Sequence, residues 1–210
     1  MNLRLVLIPT IMVVLAACTK KKNVNPPVGT TVSINGTAYP IVTIDSQTWT
    51  AVNYNGPGGV NYNDTSLNDP VFGKLYTYAE TEAITLPVGW RLPTAADFNT
   101  LIKDISSEYP DAHTSRGLAL ALMSKSTWYG GLATNTTGFN AVAGGYFYSS
   151  ANHYGFNGLG LDTEIWSTSL DANSFHESFD ISFILNNPSA YVSTITAKSD
   201  DRGSVRFIKE

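Results

Sequence analysis

The sequence predicts an α+β domain with few helices, antiparallel strands and long ordered loops. Asn35-Gly36 separates two alternating runs, Thr31–Ile34 and Tyr39–Ile44, and this dipeptide is a strong signal for a two-residue β-hairpin. The composition agrees, because aromatic residues make up 11% of the chain and charged residues only 14%. Helical periodicity is confined to a few short segments.

The clearest helix begins after Thr94. Thr94 is a good N-cap, and Asp97 three residues later completes a box-like cap that also complements the helix dipole. The next apolar residues follow at i, i+3, i+4 and i+7 and form one core-facing stripe: Phe98, Leu101, Ile102 and Ile105. Two shorter helices are predicted over Tyr76–Ala83 and Gly117–Ser124.

The C-terminal third predicts a three-stranded meander. Phe179–Leu185 and Ala190–Ile195 alternate around Asn186-Asn187-Pro188, and Ser204–Ile208 is a third alternating run. Between Trp128 and Ser169 the chain is rich in Gly, Asn and Tyr, with weak periodicity. A loop of that length in a compact domain is either functional or contains elements that the pattern conceals.

The N-terminus has the features of an export signal. Arg4 precedes an apolar run of 13 residues, Leu5–Ala17, which is shorter than the ~20 residues that a membrane-spanning helix needs. We therefore predict a signal peptide over residues 1–17. Leu15-Ala16-Ala17-Cys18 resembles the bacterial lipobox, which implies cleavage before Cys18 and lipidation of that residue. The alternative is an ordinary secreted protein with one stray thiol.

Residues 18–31 are predicted to be a lipid-anchored tether. Lys20-Lys21-Lys22 can lie against anionic headgroups, and Asn25–Gly29 is a polar, proline-rich spacer. The resemblance to lipoproteins that lack Asp after the cysteine favours the outer membrane as the location. Either side of that membrane, periplasmic or extracellular, is compatible with the sequence.

The remaining residues, Val32–Glu210, are predicted to form one domain. This segment has nine basic and 17 acidic residues, hence a net charge of −8, which argues against nucleic acid as a partner. Sugars, peptides and cations are compatible with that charge. Cys18 is the only cysteine, so the domain has no intrachain disulfide and no thiol for catalysis or zinc.

No catalytic pattern accompanies this composition. The three histidines, His113, His153 and His176, share no metal-ligand spacing, and nothing indicates a nucleophile with its base and orienting acid. We therefore expect a protein that is not an enzyme.

Six ordered blocks carry a family resemblance. The chain resembles the Fibrobacter succinogenes major paralogous domain, which is common in surface lipoproteins of Bacteroidetes and related bacteria, over nearly all of Val32–Glu210. The blocks are "IDSQTWTAVN" (Ile44–Asn53), "GKLYTYAE" (Gly73–Glu80), "GWRLPTAADF" (Gly89–Phe98), "TGFNAVAGGY" (Thr137–Tyr146), "EIWSTS" (Glu164–Ser169) and "GSVRFIKE" (Gly203–Glu210).

The resemblance implies a fold related to C-type lectins and to the sulfatase-modifying, formylglycine-generating enzymes. It does not carry over either chemistry. The enzymes need reactive cysteines, which this domain lacks. C-type lectins commonly hold calcium and sugar through carboxylates, and the comparable block here, Trp166-Ser167-Thr168, has none.

The turn Pro87–Phe98 is predicted to be scaffold. Pro87 and Gly89 fit a tight turn, Trp90 is expected in the core, and Arg91 is expected to pair with a carboxylate or with carbonyls. The alternative for Arg91 is an anion clamp.

The segment Gly144–Glu164 is the leading candidate for binding, because Tyr supplies rigid amphipathic area and Asn adaptable hydrogen bonds. The predicted binding residues are Tyr146, Tyr148, Asn152, His153, Tyr154, Asn157, Asp162 and Glu164. The alternative is that these aromatic residues only pack the loops. A second run of oxygen donors raises calcium as a possible ligand of Asn63, Asp64 and Asp69, although Asn and Asp are also common turn formers.

Together these features predict an outer-membrane lipoprotein with a lectin-like domain that recognises a polysaccharide or a surface protein. The alternative is a structural envelope module, associated with an adhesin or a pilus, that binds no glycan. Both rest on fold analogy.

Overall fold

The computed structural model describes residues 30–65, 69–150, 154–184, 187–194 and 199–210. They form an α+β fold with two five-stranded sheets and short helices, and the strands pair predominantly antiparallel. The helices are α1 (Asp69–Phe72), α2 (Tyr78–Glu82), α3 (Ala95–Glu108) and α4 (Ser115–Leu122). The strands are β1 (Thr31–Ile34), β2 (Thr37–Ile44), β3 (Gln47–Thr50), β4 (Trp90–Arg91), β5 (Gly144–Tyr148), β6 (Gly155–Leu159), β7 (Asp162–Leu170), β8 (His176–Ile184), β9 (Asn187–Thr194) and β10 (Ile208–Lys209).

The first sheet has the strand order β1-β2-β3-β10-β4. Its β1–β2 hairpin confirms the prediction from Asn35-Gly36, since both residues have positive φ, 48° and 79°, as a type I′ turn requires. β1 begins at Thr31, the last residue that the sequence assigned to the tether.

The second sheet has the strand order β6-β5-β7-β8-β9. Three of its strands, β5, β6 and β7, lie between Trp128 and Ser169 or reach just past it, so of the two alternatives for this region the second holds: it contains strands that the sequence pattern conceals. The alternation is concealed because Tyr146, Phe147 and Tyr148 are large aromatics on both faces of β5. β5 therefore has no polar face that would reveal its period of two, and glycines interrupt the pattern of β6.

The predicted C-terminal meander is correct for β8 and β9, which pair antiparallel from Glu177 opposite Thr194 to Ile184 opposite Asn187. Its third strand was placed wrongly. Arg202 pairs with Phe147 of β5 and Ser204 with Ile165 of β7, after which β10 enters the first sheet between β3 and β4. Alternation shows which residues share a face, but it does not identify the neighbouring strand, and the residues from Arg202 to Lys209 therefore join the two sheets.

The helices begin as the capping pattern predicts. Thr94 and Asp97 form a complete capping box on α3, and Thr77 and Glu80 form one on α2. α4 begins at Ser115, two residues before the prediction. α3 and α4 cover one face of the second sheet and bury a core with it that includes Phe98, Leu101, Ile105, Leu122, Phe179, Ile181 and Phe183. Within the described ranges no helix has the length and apolar character needed to span a membrane.

The turn before α3 has the local contacts that the sequence predicts. Gly89 has a φ of 79°, and the Trp90 N–H donates to the Pro87 carbonyl over 3.1 Å. Arg91 pairs with a carboxylate, donating to both oxygens of Asp97 over 2.6 and 2.9 Å. Trp90 is partly buried and packs against a second apolar cluster, so it lies at the edge of the core.

Candidate binding face

The second sheet has one apolar face and one polar face. The apolar face packs on α3 and α4, whereas the opposite face combines tyrosines with carboxylates. Cross-strand partners lie on the same face of a sheet, so the register assigns them together. We call this surface the tyrosine–carboxylate face, and it consists of Tyr146, Tyr148, Asp162, Glu164, Asp180 and Tyr191.

Four of these side chains form one row across the sheet. Asp180 of β8 lies directly between Glu164 of β7 and Tyr191 of β9 in the register. The Tyr148 hydroxyl donates to Glu164 over 2.5 Å and extends the row to β5. The row thus has one tyrosine ring at each end and two carboxylates at its centre. It spans four strands.

Serines hold the carboxylates in place. The hydroxyls of Ser178 and Ser193 donate to Asp180, and Ser182 donates to Asp162 over 2.5 Å. No lysine or arginine contributes a described salt bridge to these acids. The carboxylates are therefore oriented by neutral donors alone, and no basic side chain pairs with them within the described part of the face.

Burial and mutual repulsion shift the protonation of this face. Burial, and then the charge of Asp180, raises the pKa of Glu164 well above its usual value. Burial raises the pKa of Asp180 to about 6. Burial also raises the pKa of Tyr146 to about 12, with the charge of Glu164 as the next cause. Like charges directly opposite each other on neighbouring strands are destabilising, so this arrangement costs stability.

A glycine leaves room for two members of the face. Gly158 has a φ of 78°, and a Cβ there would lie 2.9 Å from the Asp162 side chain and 3.1 Å from the Tyr146 ring. The distance to Asp162 is shorter than real contacts of a Cβ atom and the distance to Tyr146 is tighter than most of them, so a side chain at Gly158 would displace Asp162 and crowd Tyr146. Tyr146 in turn packs on Tyr148, with ring centroids 4.5 Å apart.

The structure brings together four of the predicted binding residues: Tyr146, Tyr148, Asp162 and Glu164. Asn157 lies opposite Tyr146 on β6, and its side chain donates to the Gly155 carbonyl. Tyr154 is 77% exposed and contacts Phe147, away from the row. Asn152 and His153 lie outside the described residues.

Two members of the face, Asp180 and Tyr191, were missed by the sequence reasoning. The signal was present in the alternation of β8, because the apolar residues Phe179, Ile181 and Phe183 place Asp180 on the opposite face. A carboxylate in the middle of such a strand indicates a polar surface. The cross-strand position of Tyr191 required the register of β9, which sequence does not supply.

The tyrosine–carboxylate face ends in an aromatic cluster. Tyr78 stacks on His176 with centroids 3.5 Å apart, and Trp166 meets the same imidazole edge-on at 5.9 Å. Trp166 Nε1 donates to the Tyr76 carbonyl over 2.7 Å. Burial lowers the pKa of His176, while the charge of Glu82 opposes that shift. A neutral imidazole suits its apolar neighbours.

No described contact brings the predicted calcium ligands together. Asn63 and Asp64 are exposed in a short 3₁₀ turn, with φ of 54° and 53°. The side chain of Asp69 lies outside those that the structure describes. In the described residues no three His, Cys, Asp or Glu side chains could hold a metal ion. The calcium hypothesis stays a prediction.

Two small cavities lie away from the tyrosine–carboxylate face. One, of about 150 Å³, is bordered by Tyr39, Asn53 and Asn55. The other, of about 250 Å³, is bordered by Asn35, Glu80 and Ile84. Neither gathers carboxylates with tyrosines, so neither cavity coincides with the candidate site.

The fold and this face define an α+β domain that presents a polar sheet surface. The profile of the Fibrobacter succinogenes major domain matches residues 28–209, and the chain belongs to that family. No curated protein and no solved structure matches the chain significantly.

Proposed function

We propose that the chain is an outer-membrane lipoprotein whose domain, lectin-like in fold, binds a polysaccharide through the tyrosine–carboxylate face. The observation that carries this proposal is the row Tyr191–Asp180–Glu164–Tyr148. Tyrosine rings offer flat amphipathic area, and carboxylate oxygens accept hydrogen bonds from sugar hydroxyls.

The charge of the face narrows the ligand class. Asp180, with a pKa of about 6, is charged at neutral pH, and none of the three carboxylates has a described basic partner, so the face disfavours uronates, sulfates and phosphates. A neutral, hydroxyl-rich or amine-bearing glycan is favoured instead. The row extends across four strands, which suits a chain of several sugars better than a single small molecule.

The stability cost of the paired carboxylates is consistent with such a role. Carboxylates with raised pKa values often cluster at functional sites, where binding rather than stability decides which residues are kept. Asp180 and Glu164 are such a pair, lying directly opposite each other on neighbouring strands. The lectin-like fold is supported by the turn and helix around Arg91. Arg91 pairs with Ile208 of β10, the last strand of the chain.

The test is glycan-array binding by residues 30–210, with and without calcium. We expect a signal from neutral glycans that Tyr191→Ala and Asp162→Asn each reduce at least about tenfold, the loss expected from one or two contacts. Tyr129→Ala is the matched control, since Tyr129 is 64% exposed and is not part of the face. Equal binding by all three variants would overturn the assignment of this face.

A second candidate is an envelope module that binds protein and no glycan. It is favoured by the tip of the β7–β8 hairpin, where Leu170 and Phe175 are 52% and 38% exposed. The absence of any glycan signal, together with binding of a surface protein that Leu170→Ser abolishes, would favour this function over the first.

A further inference from the structure

We propose that the unpaired end of β2 binds an extended, uncharged peptide segment of a partner protein, which pairs with Ala38 as one short additional strand. This inference concerns the first sheet and does not rest on glycan binding by the tyrosine–carboxylate face. β2 is eight residues long, but its register with β3 ends at Ile41 opposite Thr50. Residues 37–39 therefore have no described strand on that side.

The gap arises where the chain after β3 leaves β2. The Ala51 N–H still donates to the Pro40 carbonyl over 2.8 Å, and this is the last described backbone bond between the two segments. Three residues later the Tyr54 N–H donates to the Val205 carbonyl over 2.9 Å. After Ala51 the chain thus follows the C-terminal segment, and the end of β2 loses its neighbour.

The register shows where the backbone groups of Ala38 point. The Ile41 N–H donates to the Thr30 carbonyl on the side of β1, over 3.1 Å. The N–H and C=O of one residue point to the same side of a strand, and the side alternates along the strand. Those of Ala38, three residues before Ile41, therefore point away from β1 and toward the gap. No hydrogen bond from another described residue reaches either group.

A cavity of about 150 Å³ lies at this gap. It is bordered by Ala38 of β2 and, where the chain has left β2, by Val52, Asn53 and Asn55. A Cβ at Gly73 would lie 2.7 Å from the Asn53 Cβ, so the chain at Gly73 packs tightly against Asn53 and forms a further wall. Ala38 itself is exposed, and a ligand can therefore approach the end of β2 from solvent.

The walls of the cavity offer hydrogen bonds but no charge. Asn55 Oδ1 accepts from the Tyr39 hydroxyl over 2.9 Å, and no described hydrogen bond uses the Asn55 Nδ2 group. The Ala38 N–H and C=O add one donor and one acceptor on the same edge. None of the described residues that border the cavity is Asp, Glu, Lys, Arg or His, so an ionised ligand group would be desolvated without a counter-charge.

An extended peptide residue matches these groups. Its own N–H and C=O lie on one edge, so it can form a reciprocal pair of hydrogen bonds with Ala38, as in an antiparallel ladder. Peptides add to free sheet edges in this way. The cavity has the volume of about five water molecules, enough for the backbone of one residue and a methyl group. Val52 and Val71 offer apolar contact to that methyl group, which favours alanine opposite Ala38.

The first test is a titration of the isotope-labelled full chain, in detergent micelles, with trialanine capped by acetyl and amide groups. We expect NMR shifts of the Ala38 backbone amide and the Asn55 side-chain amide, with a dissociation constant of about 1 mM, the range for a few hydrogen bonds. The same peptide N-methylated at every alanine keeps its carbonyls but cannot donate, and it should bind at least about tenfold more weakly. Equal binding of the two peptides, or no shift of the Ala38 amide at about 20 mM trialanine, would overturn the proposal.

A second test removes the donor from the protein. Ala38→Pro deletes an N–H that has no described partner in the fold, so the hairpin should tolerate it, and trialanine binding should weaken at least about tenfold. Ser33→Pro is the matched control, because Ser33 lies opposite Ala38 in the register and its N–H points away from β2. The control should bind trialanine as the parental chain does. Equal weakening by both prolines would contradict a hydrogen bond to Ala38. If Ala38→Pro fails to fold, the comparison of the two peptides decides.

A sugar is the other class of ligand with a donor next to an acceptor, because its neighbouring hydroxyls can do both. Methyl glucoside, titrated in the same way, should leave the Ala38 amide unshifted at about 20 mM. A shift of this amide by the glucoside and not by trialanine would assign the cavity to glycans and overturn the peptide proposal.

Discussion

Arg206 donates from Nε to the side-chain oxygen of Asn53 over 2.8 Å, at the point where the two sheets join. Arg206 is fully buried, and its other nitrogens donate to the carbonyls of Thr50, Phe139 and Asn140. Burial lowers the pKa of Arg206 to about 9, which leaves the guanidinium charged at neutral pH. No carboxylate pairs with it among the described residues, so backbone carbonyls and Asn53 solvate the charge.

We expect Arg206→Met to lower the free energy of unfolding by about 3–5 kcal/mol, because several buried acceptors lose their donors at once. Urea denaturation of the domain measures this. Arg202→Met is the control, since the Arg202–Glu80 pair is partly exposed and should contribute about 1 kcal/mol or less. Similar losses in both variants would show that Arg206 has no special role.

Asp180→Asn should stabilise the domain at pH 7 by about 1–3 kcal/mol. Burial raises the pKa of Asp180 to about 6, and a tenfold difference in proton affinity between the folded and unfolded states corresponds to about 1.4 kcal/mol. The folded state holds this proton more tightly than the unfolded state does. The contribution of Asp180 to stability is therefore complete below about pH 4, and it is lost as the pH rises through about 6.

The matching measurement is chemical denaturation of both proteins between pH 4 and pH 8. The parental domain should lose stability across the window from about pH 4 to pH 6, and Asp180→Asn should flatten that loss. Asp111→Asn, in an exposed turn after α3, should leave it unchanged. A variant less stable than the parent at pH 7 would contradict the electrostatic account.

Asp97→Asn should destabilise the domain by about 1–2 kcal/mol at neutral pH, the typical loss of a helix cap. Although burial alone would raise the pKa of Asp97, hydrogen bonds from Arg91 and Thr94 lower it below the usual value. The sign is therefore opposite to that of Asp180: this stabilisation is present above about pH 4 and is lost as the pH falls further. Thermal melting at pH 3 and pH 7 checks it, and the difference between the two proteins should be smaller at pH 3 than at pH 7.

Gly158→Ala should lower stability more than Gly36→Ala. Both glycines have a φ close to 79°, so the cost of a left-handed residue, about 1–2 kcal/mol, is common to both. A Cβ at Gly36 would meet nothing within 4 Å, whereas one at Gly158 would meet Asp162 and Tyr146. The difference between the two unfolding free energies thus isolates the contact. Equal losses would mean that the side chains move away freely.

Cys18→Ser should release the protein from membranes. According to the lipobox resemblance, the substitution removes the acylated residue, and the proposed function includes no second membrane anchor. Fractionation of cells after ultracentrifugation measures this. Thr19→Ser, the adjacent change, is the control and should leave the protein in the membrane fraction. A Cys18→Ser protein still bound to membranes would refute the anchor.

Sequence predicted those parts of the fold that depend on near neighbours. The Asn35-Gly36 hairpin and the Thr94 cap are encoded within a few residues, and both are present. The place of β10 depends on pairing with Trp49 and Arg91, which are far away in the chain, and alternation has no information about such partners.

The candidate site shows the same division. Tyr146, Tyr148, Asp162 and Glu164 were predicted because their composition is conspicuous along one segment. Asp180 lies in a segment of ordinary composition, and it belongs to the face because it lies opposite Glu164 on the neighbouring strand. The tyrosine–carboxylate face is thus a property of the register, and it could be recognised only when the strands were aligned.

The segment from Arg202 to Lys209 also governs when the domain can become complete. Synthesis or export delivers β1 to β3 long before this segment, and the first sheet then lacks the strand that connects β3 with β4. Arg202 and Ser204 also pair with β5 and β7, so the space between these two strands is not yet filled either. Folding must wait for contacts between distant parts of the chain, which are slow to form. A nascent chain stopped before Ser204 would expose two unfinished sheets and would be an early target for proteases.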